Sequence, residues 1–377
     1  MKHVSRADLI VVGQTPPPFH GQALGIQAIA QYPFVQLRVA LVRMAFSADM
    51  ESVGHFRLAK VVHLFGLIVR ILLARKRSGA RILYYPPAGP GWTPVLRDFF
   101  LLPIVRPFFS QTVFHYRAAG LSAWLADRGR FVQWLAYKAY GRADLAILMS
   151  ARLQDDSSGL LQAARTIVIP NGVADLAGAR RANVENSAGH ILFVGALRPE
   201  KGVDILIEAL ELLNQQGLSF RAEFVGKPIS DAYMQELHDK VSETGLVSKV
   251  AFSGELTGNN LCDAYARAMI FCFPTQYASE AMPRVIIEAM QFGLPIVASD
   301  WRGIPDMFEN GEQGLRVPVG DASRLAEALA TFLQDSEKRV SMGLSARKRY
   351  ESAFTIEQQM RAFEDAMIDL ARSNHEI

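Results

Sequence analysis

Five side chains in this sequence have the types and spacing to handle an anionic, hydroxyl-rich ligand. Arg198 and Lys201 lie three positions apart in the string ALRPEKGVD. An arginine offers phosphate oxygens a fork of donors and a lysine offers a compact charge, so the two can converge on one ligand. Two cations beside a bond whose cleavage leaves a diphosphate stabilise the transition state more than the ground state. Glu280 and Glu288 stand eight positions apart in TQYASEAMPRVIIEAMQFGLPIVASDWRGIP. His115 ends the apolar run QTVFH and is followed by the loop Arg117–Gly120. Each feature has a plain alternative: a solvated Arg-x-x-Lys pair, two surface glutamates on a helix, a structural histidine.

The surrounding sequence says how these groups are carried. Thr275–Pro305 reads as loop, helix, Gly-Leu-Pro turn, buried strand and loop. Ser279 suits an N-cap and Pro283 the first helical turn, with Val285, Ile286, Ala289 and Met290 at helical spacing. This places Glu280 at the loop–helix junction and Glu288 about two turns in. The amides of Ala281 and Met282 would then face a phosphate above the helix start. HILFVG (190–195) reads as a buried strand feeding the Arg198–Lys201 loop and a helix over 205–214. Strands are expected also at 8–13, 37–42, 81–85, 111–116, 143–149 and 166–169. In the second half they are expected at 220–226, 250–254, 269–273, 294–299 and 315–319. Helices alternate with them, including 22–31, 56–76, 231–244, 261–267, 323–333 and an amphipathic one over 354–370. Alternation of this kind predicts an α/β protein with two Rossmann-like domains. The loop QTPPPFHGQALG before the second of these elements holds Gly21, flanked by His20 and Gln22. It is neither a dinucleotide fingerprint nor a P-loop.

Composition narrows the classes further. A chain of 377 residues can form two domains, and a net charge of +3 does not suggest nucleic-acid binding. Cys262 and Cys272 sit in apolar segments, which suggests buried thiols in a reducing compartment. MKHVSRADLIVVG does not read as a secretory leader, and no apolar run is long enough to span a bilayer. No Asp-x-Asp or clustered ligand set calls for a metal or cofactor. Phe56–Lys76 is apolar with a basic end (Arg75, Lys76, Arg77, Arg81), and VLRDFFLLPIVRPFF (95–109) is rich in large apolar groups. Packing on a sheet explains both, and contact with an anionic membrane surface is the alternative.

The string F-V-G-x-L-x-P-E-K-G-x-x-x-L-I-x-A, the E-x7-E segment, VFHYRAAGL and PNGV (170–173) together resemble glycosyltransferase family 4 (glycosyl transferases group 1). The resemblance spans nearly all of the second half and, more loosely, the first. It implies the GT-B fold, two Rossmann-like domains facing a central cleft. Residues 1–175 would bind the acceptor and 190–350 the donor, with the C-terminal helix (about 354–377) packing back on the first domain and a linker over 175–189. It implies transfer of a sugar, with retention, from a nucleotide-diphosphate sugar to a saccharide acceptor. The missing metal ligands leave the charge role to Arg198, Lys201 and the helix dipole, and the apolar-basic stretches 56–81 and 95–109 suggest a lipid-linked saccharide, at the cytoplasmic side of a membrane or free in the cytoplasm. Arg198 and Lys201 would hold the diphosphate, Glu280 the sugar, Glu288 the ribose and His115 the sugar hydroxyls. Gly21, the backbone near Leu256, and Ala281, Met282 and Pro283 would line the donor. The alternatives are a nucleotide-sugar epimerase of the same fold and a non-catalytic sugar-nucleotide-binding subunit.

Overall fold

The computed structural model describes residues 8–17, 21–44, 58–177 and 189–373, without the side chains of 58–62. His20, the start of the helix expected from Phe56, the side chains of Val61 and Val62, and linker positions 178–188 lie outside the described residues. The chain divides into two compact units: residues 1–171 with 357–377, and residues 172–356.

The first unit is built on six parallel strands: β1 (Leu9–Gly13), β2 (Val39–Arg43), β3 (Ile82–Tyr85), β4 (Gln111–Tyr116), β5 (Leu145–Leu148) and β6 (Arg165–Val168). Their order across the sheet is β2-β1-β3-β4-β5-β6. β1, β3, β4 and β5 are buried along their whole length, as strands covered on both faces must be. The helices are α1 (Gly21–Gln31), α2 (Leu58–Ser78), α3 (Trp92–Val105), α4 (Leu121–Ala126) and α5 (Arg130–Tyr140). Alternate strand residues divide between the faces. Leu83, Tyr85, Phe114 and Tyr116 enter the core formed with α2, α3 and α5. Tyr84 points the other way, against Phe363 of the C-terminal helix.

The charges that interrupt the apolar stretch 95–109 are structural. Asp98 is fully buried and accepts from Tyr85 Oη at 2.5 Å, the Ala88 amide at 2.8 Å, Arg97 Nε at 2.8 Å and Tyr140 Oη at 3.0 Å. Arg106 donates to the carbonyls of Ala139, Gly141 and Arg142. These bonds meet the cost of burying such groups inside an apolar layer.

The second unit holds β7 (His190–Val194), α6 (Val203–Gln215), β8 (Arg221–Val225), α7 (Asp231–Glu243), β9 (Val250–Gly254) and α8 (Gly258–Arg267). These are followed by β10 (Ile270–Phe273), α9 (Arg284–Gln291), β11 (Ile296–Ser299), β12 (Gly314–Val317), α10 (Ala322–Gln334) and α11 (Ser336–Ala353). α12 (Ile356–Arg372) follows, and from Glu357 it belongs to the first unit. The second sheet runs β12-β11-β10-β7-β8-β9, all parallel. Strand order reverses between β7 and β10, which opens a crevice outside their carboxyl ends. Asp321 caps α10, accepting from the Arg324 amide at 2.9 Å. α11 was not anticipated: of its eighteen residues only Met342, Gly343, Ala346 and Tyr350 are buried and two of these are small, so no apolar stripe marks it. The first residues of the expected linker are fixed in place. Asp175 pairs with Arg347, and the Leu176 amide donates to Gln291. Cys262 and Cys272 are buried free thiols, with burial holding the Cys272 thiol well above its ordinary pKa.

Candidate active site

The loops after β7 and β10 bring Arg198, Lys201 and Glu280 of the predicted donor site together at the switch point, and leave Leu256 apart from them. Gly202, with φ +74°, closes the β7 loop; a Cβ there would lie 2.0 Å from the carbonyl oxygen of Pro274. Only glycine permits so close an approach. The Gln276 amide donates to the Glu200 carbonyl at 2.9 Å, fastening one loop to the other.

That docking carries Lys201 onto Glu280. Lys201 Nζ donates to Glu280 Oε2 at 2.5 Å, and Thr275 Oγ1 donates to the same oxygen at 3.1 Å. Their side chains are only 16% and 10% exposed, so the pair is little screened. Arg198 forks onto Glu200, with Nε–Oε2 2.9 Å and Nη2–Oε1 3.3 Å. The Glu200 carboxylate raises the Arg198 pKa and is itself held below its ordinary range. Both cations also lie over one ring, that of Tyr277, at 5.4 Å for Arg198 and 4.6 Å for Lys201. Trp301 Nε1 donates to the Tyr277 carbonyl at 2.9 Å, bracing that ring's backbone. Sequence reasoning missed Tyr277 and Thr275: a tyrosine and a threonine in a loop carry no spacing signal.

The helix start differs from expectation. α9 begins at Arg284, and Pro283 is its N-cap without a side-chain bond. Ser279 is not the cap. A residue before proline is driven to extended backbone, so a helix cannot run through Met282 into Pro283. Ala281 and Met282 therefore contribute loop amides rather than helix amides, and both are buried. Glu288 falls about one turn into α9, not two. It accepts from Tyr265 Oη at 3.1 Å and has Arg284 Nε 3.9 Å away. Burial and then the Glu288 charge hold the Tyr265 phenol well above its ordinary pKa, so it stays a donor. This partner was also missed.

Leu256 is half-buried in the loop after β9, at the edge of the sheet and two strands from β7. A groove lined by Leu197, Gly226, Phe252 and Gly254 lies over the end of this edge strand, and Leu256 is not among its lining residues. In the first unit, Gly21 is exposed as the first residue of α1. His115, near the end of β4, is buried, with Nδ1 2.7 Å from Tyr84 Oη. Burial and then the Arg117 charge hold its pKa well below 6.5, so the ring is neutral at pH 7. Burial raises the Tyr84 pKa, so its phenol stays protonated and can donate to Nδ1. In the tautomer that accepts this proton Nε2 carries the ring's own, and Nε2 has no protein partner among the described residues. Among the described residues, no group of three His, Cys, Asp or Glu side chains is placed to hold a metal ion.

Comparison with known proteins bears on the fold and the second unit. Residues 179–349 match the family model described as Glycosyl transferases group 1. Over 205 residues the chain is 30% identical to a phosphatidyl-myo-inositol mannosyltransferase of Mycobacterium leprae, covering 52% of this chain and 53% of that protein. The chain spans about half or less of the curated relatives it matches. The structure of sucrose-phosphate synthase from Thermosynechococcus elongatus aligns with TM-score 0.76 at 20% identity, covering 97% of this chain and 100% of that one. Anabaena Alr3699/HepE in complex with UDP-glucose aligns with TM-score 0.69 at 21% identity, covering 98% and 100%. The fold of this protein is therefore GT-B, two parallel six-stranded sheets with flanking helices.

Proposed function

We propose that this protein is a glycosyltransferase that takes a sugar from a nucleoside diphosphate sugar and passes it to a saccharide or lipid-linked saccharide. The observation that carries the reading is the Lys201–Glu280 pair, set with Arg198 at the switch point of the second sheet. The match of residues 179–349 and the curated relatives support it. The diphosphate takes Lys201 and Arg198 from their carboxylates, and Glu280, relieved of Lys201, accepts from the sugar hydroxyls. Glu288, held by Tyr265, accepts from the ribose. His115 keeps the role the resemblance gives it, its neutral Nε2–H donating to a sugar hydroxyl.

In the transfer step the bond from the anomeric carbon to the β-phosphate oxygen breaks as the acceptor oxygen bonds to that carbon. The acceptor's proton passes to the departing phosphate oxygen, giving glycoside and nucleoside diphosphate with the anomeric configuration kept. Lys201 and Arg198 neutralise the growing charge, the part a divalent ion plays elsewhere. Activity accordingly survives EDTA; an absolute need for Mg²⁺ or Mn²⁺ would contradict the proposed division of labour. The direct test is a thermal-shift panel of UDP-, GDP- and ADP-sugars, beginning with UDP-glucose, the ligand of the HepE structure. One donor should raise Tm in a concentration-dependent way, and no shift from any of them would overturn the reading.

A further inference from the structure

The first unit carries a surface that the donor site does not explain. α3 lies between α2 and α5 on one side of the first sheet, and all three turn large apolar groups outward. On α2 these are Phe65, Val69 and Leu73, each four residues from the last, with Phe65 63% exposed. On α3 they are Trp92, Leu96, Phe100 and Ile104 at the same interval, with Phe100 63% exposed. That interval keeps side chains on one line of a helix, so the α3 ridge runs for about 18 Å. On α5, Phe131 and Trp134 are stacked, and Phe131 is 70% exposed. The opposite sides of these helices are filled by Leu67, Ile71, Val95, Leu102 and Ala136. Burial in this unit's core is therefore not what the outward groups serve.

Charge says what covers this face. Residues 52–143 contain fourteen Lys and Arg but only two acidic residues, Asp98 and Asp127. Asp98 is sealed in the core. This stretch is thus +12, while the rest of the chain is −9. The basic groups border the apolar ridges: Arg70, Lys76 and Arg77 are exposed on α2 and Lys138 on α5. Several lie over aromatic rings, Arg128 over Trp124 at 4.3 Å and Lys138 over Trp134 at 5.8 Å. Apolar side chains among aromatics and lysine or arginine, with Asp127 the one exposed acid of the stretch, fit the headgroup zone of an anionic bilayer. No described helix is long and apolar enough to cross a membrane, so the contact is with its surface.

We infer that the α2–α3–α5 face docks on an anionic lipid surface, with Phe65, Leu96, Phe100 and Phe131 entering the acyl boundary and Arg70, Lys76, Arg77 and Lys138 meeting phosphate headgroups. This rests on the surface alone and not on the transfer reaction. It accounts for the placing of so much apolar area on the unit assigned to the acceptor, which would then be met at the membrane.

The test is flotation of the full chain with vesicles of equal parts phosphatidylcholine and phosphatidylglycerol, or of phosphatidylcholine alone. The protein should rise with the anionic vesicles at low salt and be released by about 0.5 M NaCl. Lys76→Gln with Arg77→Gln should cut partitioning about thirty-fold. Phe100→Asp should cut it at least ten-fold, and Val247→Asp, an exposed valine of the second unit, should leave it unchanged. These side chains are at the surface, so the variants fold, which circular dichroism checks. Failure of the wild type to float with anionic vesicles would overturn the inference. So would undiminished flotation of Phe100→Asp. A wild-type dimer in sedimentation that Phe100→Asp splits into monomers would instead give this face to a second copy of the chain. Donor-induced Tm shifts in all these proteins report separately on the transferase reading.

Discussion

Lys201 and Glu280 are seventy-nine positions apart in sequence and 2.5 Å apart in the fold. A half-buried cation paired to a carboxylate is a contact that an anionic ligand could displace, and the proposed function has substrate enter by trading partners. Lys201→Gln keeps most of the packing but removes the charge, and should lower kcat by about a hundred-fold or more, as for loss of one transition-state donor. Steady-state kinetics with the donor found in the panel checks this, and an unchanged kcat would remove Lys201 from the chemistry. His115 gives a second residue-scale expectation, on stability. Its folded pKa is depressed below 6.5 by burial and then by Arg117. Near that pH the unfolded chain takes up a proton that the folded unit refuses. Stability is therefore whole above about pH 6.5 and falls as pH drops below it. Urea midpoints between pH 8 and 5 should show this slope, and His115→Gln should flatten it. At this scale the sequence was informative where charge and spacing carry meaning: Arg198, Lys201, Glu280 and Glu288 all lie in loops or helices of one unit. It was silent on Tyr277, Thr275 and Tyr265, because their parts depend on which loop meets which.

Elements decide how those residues meet. The apolar runs β1, β3, β7 and β10 were legible because a strand covered on both faces has no polar alternation to confuse it. The start of α9 was not. The Ser279 cap was a sound local reading, but the extended backbone that Pro283 demands of Met282 moved the helix on to Arg284. α11 was missed for a different reason, since a helix with few buried positions has a weak stripe. Two predictions belong to elements. Gly202→Ala puts a Cβ against the Pro274 carbonyl at positive φ, and should cost at least about 2 kcal/mol. It should also weaken donor binding, as the β7 and β10 loops part. Equal stability in denaturant titration would show that the loops tolerate the change. Asp98→Ala leaves two buried phenols, an amide and Arg97 without their acceptor, at a cost of about 3–5 kcal/mol to the first unit. A shift in urea midpoint measures it, and donor affinity per folded molecule should be unchanged.

At the scale of the whole molecule the two units differ in character. The second is acidic to neutral, and its switch point gathers opposed charges; the first concentrates the basic residues and the exposed apolar ridges. A net charge of +3 conceals this division, which is why composition could not locate a charged face. The two-sheet architecture was readable from alternating strands and helices, because each apolar run and each 3.6-residue stripe points to the same layering. The identity of the donor was not, because no residue type at a fixed spacing in this sequence marks a particular base or sugar. The central claim is that the β7–β10 crevice holds a nucleoside diphosphate sugar through Lys201 and Arg198. Isothermal titration of the wild type and of Lys201→Gln with Arg198→Gln, using the donor that shifts Tm, tests it most directly. Saturable binding at one site in the wild type, weakened at least a hundred-fold in the double variant, is what the account predicts. Binding of the same strength in both proteins would contradict it.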